Sequence, residues 1–268
     1  MMKDVLLRIP GAALYILLLL GGLYLHQPYW GLVCLLFFSV ALFEWSRLLV
    51  IPLNTTNIMI TVVAIYSFIH LNFFTELEGL GPIWINGSFI ATILFYLFCG
   101  LLHQSKLQKQ SYVLGAFLYL WTAYTFLFQM GQPIKPLYLI LLFSIIWSGD
   151  TFAYIGGKLY GKNKLAPKIS PGKTWEGAIT GVVFSGIVAW VVADFILHIP
   201  TPNIWFSVGI LVSIFGILGD LFESKLKRKN KIKDSGRFFP GHGGILDRMD
   251  SIIFALPIYY ICITILKL

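Results

Sequence analysis

The sequence predicts an all-α polytopic membrane protein of about nine transmembrane helices with cytoplasmic catalytic loops. Three observations carry this. The chain of 268 residues is 57% hydrophobic and only 12% charged, outside the range of ordinary soluble domains. Runs of about 20 apolar residues recur along it, the length that crosses a bilayer as helix, where the backbone must satisfy its own hydrogen bonds. Lys and Arg collect in alternate connections between those runs, as they do when one set of loops stays in the cytoplasm.

In order, the spans are expected at 9–25, 29–43, 57–73, 83–102, 113–130, 136–156, 178–197, 203–222 and 251–268. The first has a basic start, Lys3 and Arg8, like a secretory signal, but no small-residue cleavage site follows Leu25, so it is read as retained. Residues 1–132 then hold five spans and 133–268 four, with cytoplasmic loops at 157–177 and 223–250. Cys34, Cys99 and Cys262 all fall inside apolar spans without metal-ligand spacing and read as small core residues.

Eighteen of the 20 basic residues fall in one set of connections, leaving Lys135 and Lys267 in the other. That asymmetry predicts an N-terminus inside and a C-terminus outside. It concentrates the net charge of +8 where anionic headgroups and soluble phosphates meet the protein.

The first segment with chemistry runs from the end of the sixth span, WSGDTFAYIGGKLYGKNKLAPKISPGKTWEG. Asp150 lies about two turns before the helix exit, at membrane depth, so it either faces a polar cavity or cation, or snorkels to pair with a lysine such as Lys158. Gly172-Lys173-Thr174 suggests a P-loop, but Pro167 stands where that motif needs its first glycine, and no α/β domain is available. Two readings remain for Ser170, Lys173 and Thr174: a phosphate held at a helix N-terminus beside a lysine, or capping by Ser170 or Thr174 with Glu176 or Gly177 completing the turn.

The second segment is GDLFESKLKRKNKIKDSGRFFPGHGGILDRMDS. Asp220 and Glu223 are three residues apart and share a helix face, and Asp247 and Asp250 repeat that spacing. Mg²⁺ takes oxygen ligands, commonly one or two carboxylates together with substrate phosphates, so the pairs suit a metal–triphosphate site. The alternative is pairing with Lys225, Lys227, Arg228 or Arg248. Between the pairs, Lys225 to Arg237 supply positive charge, and Gly241, Gly243 and Gly244 flank His242 in a turn that can expose amides to an anion.

Here the chain resembles the phosphatidate cytidylyltransferase family, also called CDP-diacylglycerol synthases. Ser224, Leu226, Lys227, Arg228, Lys233, Asp234, Gly236, Phe239, Pro240, His242, Gly243, Gly244, Ile245, Asp247, Arg248, Met249 and Asp250 fill the family pattern without a gap. The stretches 150–161 and 165–177 resemble its upstream blocks. The resemblance implies a reaction of CTP with phosphatidic acid, giving CDP-diacylglycerol and pyrophosphate, with Mg²⁺ and room for a second cation. It implies Asp220, Asp247 and Asp250 as metal ligands, with Asp150 and Glu223 behind them. Lys173, Ser170, Thr174, Ser224, Lys227, Arg228, Lys233, Gly243 and Gly244 would bind substrate, Arg248 would steady phosphate charge, and His242 is a further catalytic candidate. The expected setting is a bacterial-type inner membrane with the site on the cytoplasmic face, membrane lipid as partner, no nucleic acid, and a homodimer permitted. The rivals are a CTP-dependent kinase acting on a polyprenol or similar lipid, which would release CDP, and an anion transporter, against which the scarcity of ionisable residues in the spans argues.

Overall fold

A computed structural model describes residues 2–25, 29–49, 51–69, 109–130, 136–199, 202–236, 238 and 243–266. Among them are eight α-helices: α1 Met2–Leu25, α2 Tyr29–Leu49, α3 Leu53–Ile69, α4 Lys109–Met130, α5 Pro136–Tyr160, α6 Trp175–Val191, α7 Pro202–Lys229 and α8 Leu246–Ile265. Each coincides with an expected span to within several residues, and the expected fourth span, 83–102, lies outside the described residues. Four of the helical stretches are long and apolar enough to cross a membrane, Tyr29–Leu48, Leu137–Tyr160, Trp175–Ile196 and Asn203–Lys229, so the chain is an integral membrane protein.

Three departures from the sequence reading have physical causes. Helix α2 runs to Leu49 rather than ending at residue 43, because Glu44, which the apolar pattern treats as a stop, is buried with its carboxylate hydrogen-bonded. The segment 157–177 is not loop alone. It contains an antiparallel hairpin, β1 Lys164–Ala166 and β2 Ser170–Thr174, with Lys164 opposite Thr174 and Ala166 opposite Ser170. Finally, α6 ends in a π-helical turn, Val192–Ile196, with the Leu197 amide donating to the Val192 carbonyl at 2.9 Å.

The chain divides into two compact units. The first comprises Met1–Pro133 with Asp234–Arg248, so the segment after α7 is shared between units. Helices α1, α3 and α4 pack on α2. The Trp30 indole N–H donates to the Leu127 carbonyl at 2.9 Å, Trp45 lies against Tyr119 at 4.7 Å between ring centroids, and Phe38 meets Tyr124 edge-on at 5.3 Å.

The second unit comprises Ile134–Lys233 with Met249–Leu268. Its helices approach closely through small residues, the usual device where lipid offers no hydrophobic drive for helix association. A Cβ on Gly181 would meet the Gly149 carbonyl and Ala153, and one on Gly209 would meet Ala189 Cβ and the Ser185 carbonyl, both at 2.7 Å. The Ser185 hydroxyl donates to the Ile145 carbonyl at 3.0 Å, tying α6 to α5, and Tyr259 donates to the Tyr138 carbonyl at 2.6 Å, tying α8 to α5.

The α6–α7 contact predicts that Gly209→Val lowers stability by about 1–3 kcal/mol through overpacking, read as a lower melting temperature in detergent. Gly172→Ala, whose Cβ would meet nothing within 4 Å, leaves melting unchanged in the same assay.

Candidate active site

In the second unit the hairpin delivers its last residues to the start of α6. Thr174 is the N-cap: its hydroxyl accepts the Gly177 amide at 3.2 Å, which settles the capping alternative in favour of Thr174 over Ser170. Glu176 does not complete that turn. Its carboxylate accepts the Lys162 amide at 3.1 Å, the Asn163 amide at 3.2 Å and Asn163 Nδ2 at 2.7 Å, while the Trp175 amide donates to the Asn163 carbonyl at 2.9 Å. The hairpin is thus anchored at its base.

Lys173, one residue before the cap, forms an ion pair with Asp220 of α7, both side chains being half-buried. The Ser224 hydroxyl donates to Asp220 Oδ1 at 3.0 Å. Asp220, Glu223, Ser224 and Lys227 follow the i, i+3, i+4, i+7 spacing of a single helix face. Along that stripe Lys227 Nζ lies 3.0 Å from Glu223 Oε1, and the pair is deeply buried, with side-chain exposures of 9% and 0%. Opposite stands Asp250. The backbones of α7 and α8 meet here because Gly219 has no side chain: its Cβ would meet Phe254 Cβ at 2.5 Å and the Asp250 carbonyl at 2.6 Å. Asp220 and Asp150 lie within Coulombic reach of Asp250 as like charges, and Lys227 as the opposing one. The unit therefore brings together Lys173, Asp220, Glu223, Ser224, Lys227 and Asp250 from the sequence-predicted set, while Asp150 is exposed on α5.

Arg228 is exposed, and its guanidinium donates to two carbonyls, that of Ile169 in the hairpin turn at 3.2 Å and that of Ile232 at 2.9 Å. Lys233 is exposed, and Ser170 sits in β2.

Asp247 belongs to the first unit, and Arg248 beside it is exposed. Asp247 Oδ2 accepts the Ser235 and Gly244 amides, both at 2.9 Å, and Oδ1 accepts the Ser235 amide at 3.1 Å. Gly243 has φ of +83°, a conformation in which a side chain would be strained, and Gly244 is buried. Beside them is a residue that the sequence reading passed over. Glu44 of α2 is 4% exposed, accepts the Ile245 amide at 3.2 Å and the Leu246 amide at 2.9 Å, and takes the Ser235 hydroxyl at 3.2 Å. The one signal for it was an acid flanked by apolar residues at the end of a span. His242 lies outside the described residues. Among the described residues no three Asp, Glu, His or Cys side chains form a ready-made metal cluster.

The model of the cytidylyltransferase family matches residues 6–266 of this chain. The chain is 48% identical over 141 residues to a phosphatidate cytidylyltransferase of Rickettsia bellii, covering 50% of this chain but only 61% of that relative. With one from Staphylococcus haemolyticus it shares 40% identity over 208 residues, 75% of this chain and 78% of the relative. With one from Staphylococcus epidermidis it shares 52% over 124 residues, 45% and 46% of the two lengths.

The buried Glu223–Lys227 pair predicts a non-additive result. Lys227→Met alone leaves a buried carboxylate without its cation and costs about 3–5 kcal/mol, whereas Lys227→Met with Glu223→Leu recovers most of the loss. Melting in detergent checks both variants.

Proposed function

We propose that this chain, which belongs to the cytidylyltransferase family, is a CTP:phosphatidate cytidylyltransferase: it joins CTP and phosphatidic acid to give CDP-diacylglycerol and pyrophosphate. The observation that carries the reading is the polar stripe on α7, with Asp220 and Lys227 on one helix face and Lys173 and Asp250 brought up to it from β2 and α8. Carboxylates and cations interleaved at the end of apolar helices suit a reaction between two polyanions, one lipid-borne and one soluble.

A phosphate oxygen of phosphatidic acid attacks the α-phosphorus of CTP in line. A new P–O bond forms there as the bond to the β-phosphate oxygen breaks, and pyrophosphate leaves with that electron pair. Catalysis is then mainly positioning and charge neutralisation. Lys173, Lys227, Arg228, Lys233 and Arg248 supply positive charge for the phosphates. Lys173 begins paired with Asp220, so an arriving phosphate draws on a half-buried lysine already held beside the carboxylates. Thr174 caps α6 and Ser170 pairs with Ala166 in the hairpin that carries Lys173, and the Ser224 hydroxyl donates to Asp220. Gly243 would present backbone to an anion, whereas the Gly244 amide is taken by Asp247 Oδ2 and shapes the turn. The second pKa of a phosphate monoester is about 6, so no strong general base is needed and His242 is not required as one.

The donor set fits Mg²⁺. Asp220 and Asp250 are carboxylates close enough to repel, the hard-oxygen pair such an ion accepts alongside substrate phosphates. Asp247, one turn before Asp250 on α8, is the further oxygen ligand of this proposal. Asp150 and Glu223 would serve only as second-tier ligands. When bound, the ion would neutralise triphosphate charge and orient the leaving pyrophosphate. The reaction would face the cytoplasm of a bacterial-type inner membrane, with the N-terminus inside, because the basic residues gather on that side and phosphatidic acid can then enter from the leaflet.

In detergent with Mg²⁺, CTP and phosphatidic acid, the purified protein is expected to release pyrophosphate and form CDP-diacylglycerol only when the lipid is present. Chelation abolishes this, and Asp220→Asn or Asp247→Asn lowers kcat at least about a hundredfold, roughly 2.7 kcal/mol of barrier. Pyrophosphate release that ignores the lipid, or both variants retaining full activity, contradicts the reading.

A further inference from the structure

We infer that Glu44, which the proposed chemistry does not use, is a positioning residue: its buried carboxylate fixes where α8 begins and thereby aims Asp247. A charged group inside an apolar span is expensive, and a helix that merely crosses the membrane has no need of one. Here the charge is met by donors from another part of the same unit. Oε1 accepts the Ile245 amide, while Oε2 accepts the Leu246 amide and the Ser235 hydroxyl. The amides at a helix start have no partner within the helix, and a carboxylate there also complements the helix dipole.

The contact is closely fitted on both sides. A Cβ on Gly236 would strike the Glu44 carboxylate, and a Cβ on Gly244 would strike both that carboxylate and the Ser235 hydroxyl. Glu44 thus lies between Ser235–Gly236 on one side and Gly244–Leu246 on the other. Asp247 ties the same two flanks, through the Ser235 and Gly244 amides. Two carboxylates, one from α2 and one from α8, share this short stretch of backbone. Removing the first loosens Ser235 and the start of α8, so the backbone to which Asp247 is tied, and Asp247 with it, loses its fixed position.

The role in catalysis rests on the proposed function, but the latch itself does not. In the full-length protein in detergent, Glu44→Gln is expected to raise hydrogen exchange at the Ile245 and Leu246 amides about tenfold, the worth of one charge-assisted hydrogen bond. The Mg²⁺ concentration for half-maximal activity rises severalfold, and Glu44→Asp, one methylene shorter but still charged, falls between Gln and wild type in both measurements. If Glu44→Gln does not accumulate, Ser235→Ala removes a single donor and gives a smaller change in the same direction. Unchanged exchange at the two amides, or exchange raised evenly along α2 and α8, overturns the inference. So does local exchange without any shift in the Mg²⁺ requirement, which would reduce Glu44 to a stabilising contact. A wild-type protein that releases no pyrophosphate sinks the proposed function alone, because the exchange measurement still reports on the latch.

Discussion

A carboxylate buried among apolar helices must be met by a cation or by hydrogen-bond donors, and that requirement orders the polar part of this molecule. Glu223 is fully buried and has Lys227 one turn away; Asp220 has Lys173 and the Ser224 hydroxyl; Glu44 has two amides and a serine. Two of these compensations, Lys173 with Asp220 and the Glu44 contacts, tie together pieces of chain that apolar packing alone would leave free to slide. Removing one partner would strand a charge, so these contacts specify geometry more strongly than they add net stability. Charge that would be a liability in a simple bundle becomes the means of holding reactive groups in place.

Close backbone approach is the second requirement, and it serves the first. Gly219 precedes Asp220 by one residue and lets α8 come near enough for Asp250 to sense Asp220. Gly149, Gly181 and Gly209 do the same along α5, α6 and α7, where a methyl group would overlap backbone or small side chains. Hydrophobic side chains fill the rest, but it is the small residues that set how deeply the helices mesh. The acidic pair is consequently a product of helix packing rather than of a flexible loop.

Much of this was legible in the sequence. Apolar length gave the spans, because lipid permits few alternatives to helix. The i, i+3 spacing placed Asp220 with Glu223 on one face of α7, and Thr174 was among the candidate caps. The hairpin was not legible, because Lys164–Ala166 and Ser170–Thr174 are short, polar and interrupted by Pro171 and Gly172, so neither shows strand alternation. Arg228 reads as a phosphate ligand by type and position, whereas its guanidinium also holds the Ile169 carbonyl, a tertiary contact 59 residues away in sequence. Glu44 was missed because its donors lie about 200 residues further on, and a lone acid at a span end looks like the edge of the membrane.

The fate of the nucleotide's phosphates tests the central claim most directly. With CTP labelled at the α-phosphorus and phosphatidic acid in detergent, the account predicts that the label enters the lipid product, whereas with CTP labelled at the γ-phosphorus it leaves in pyrophosphate. A γ-label recovered in lipid, with CDP released, would contradict it and make the polar stripe on α7 the site of a lipid kinase instead.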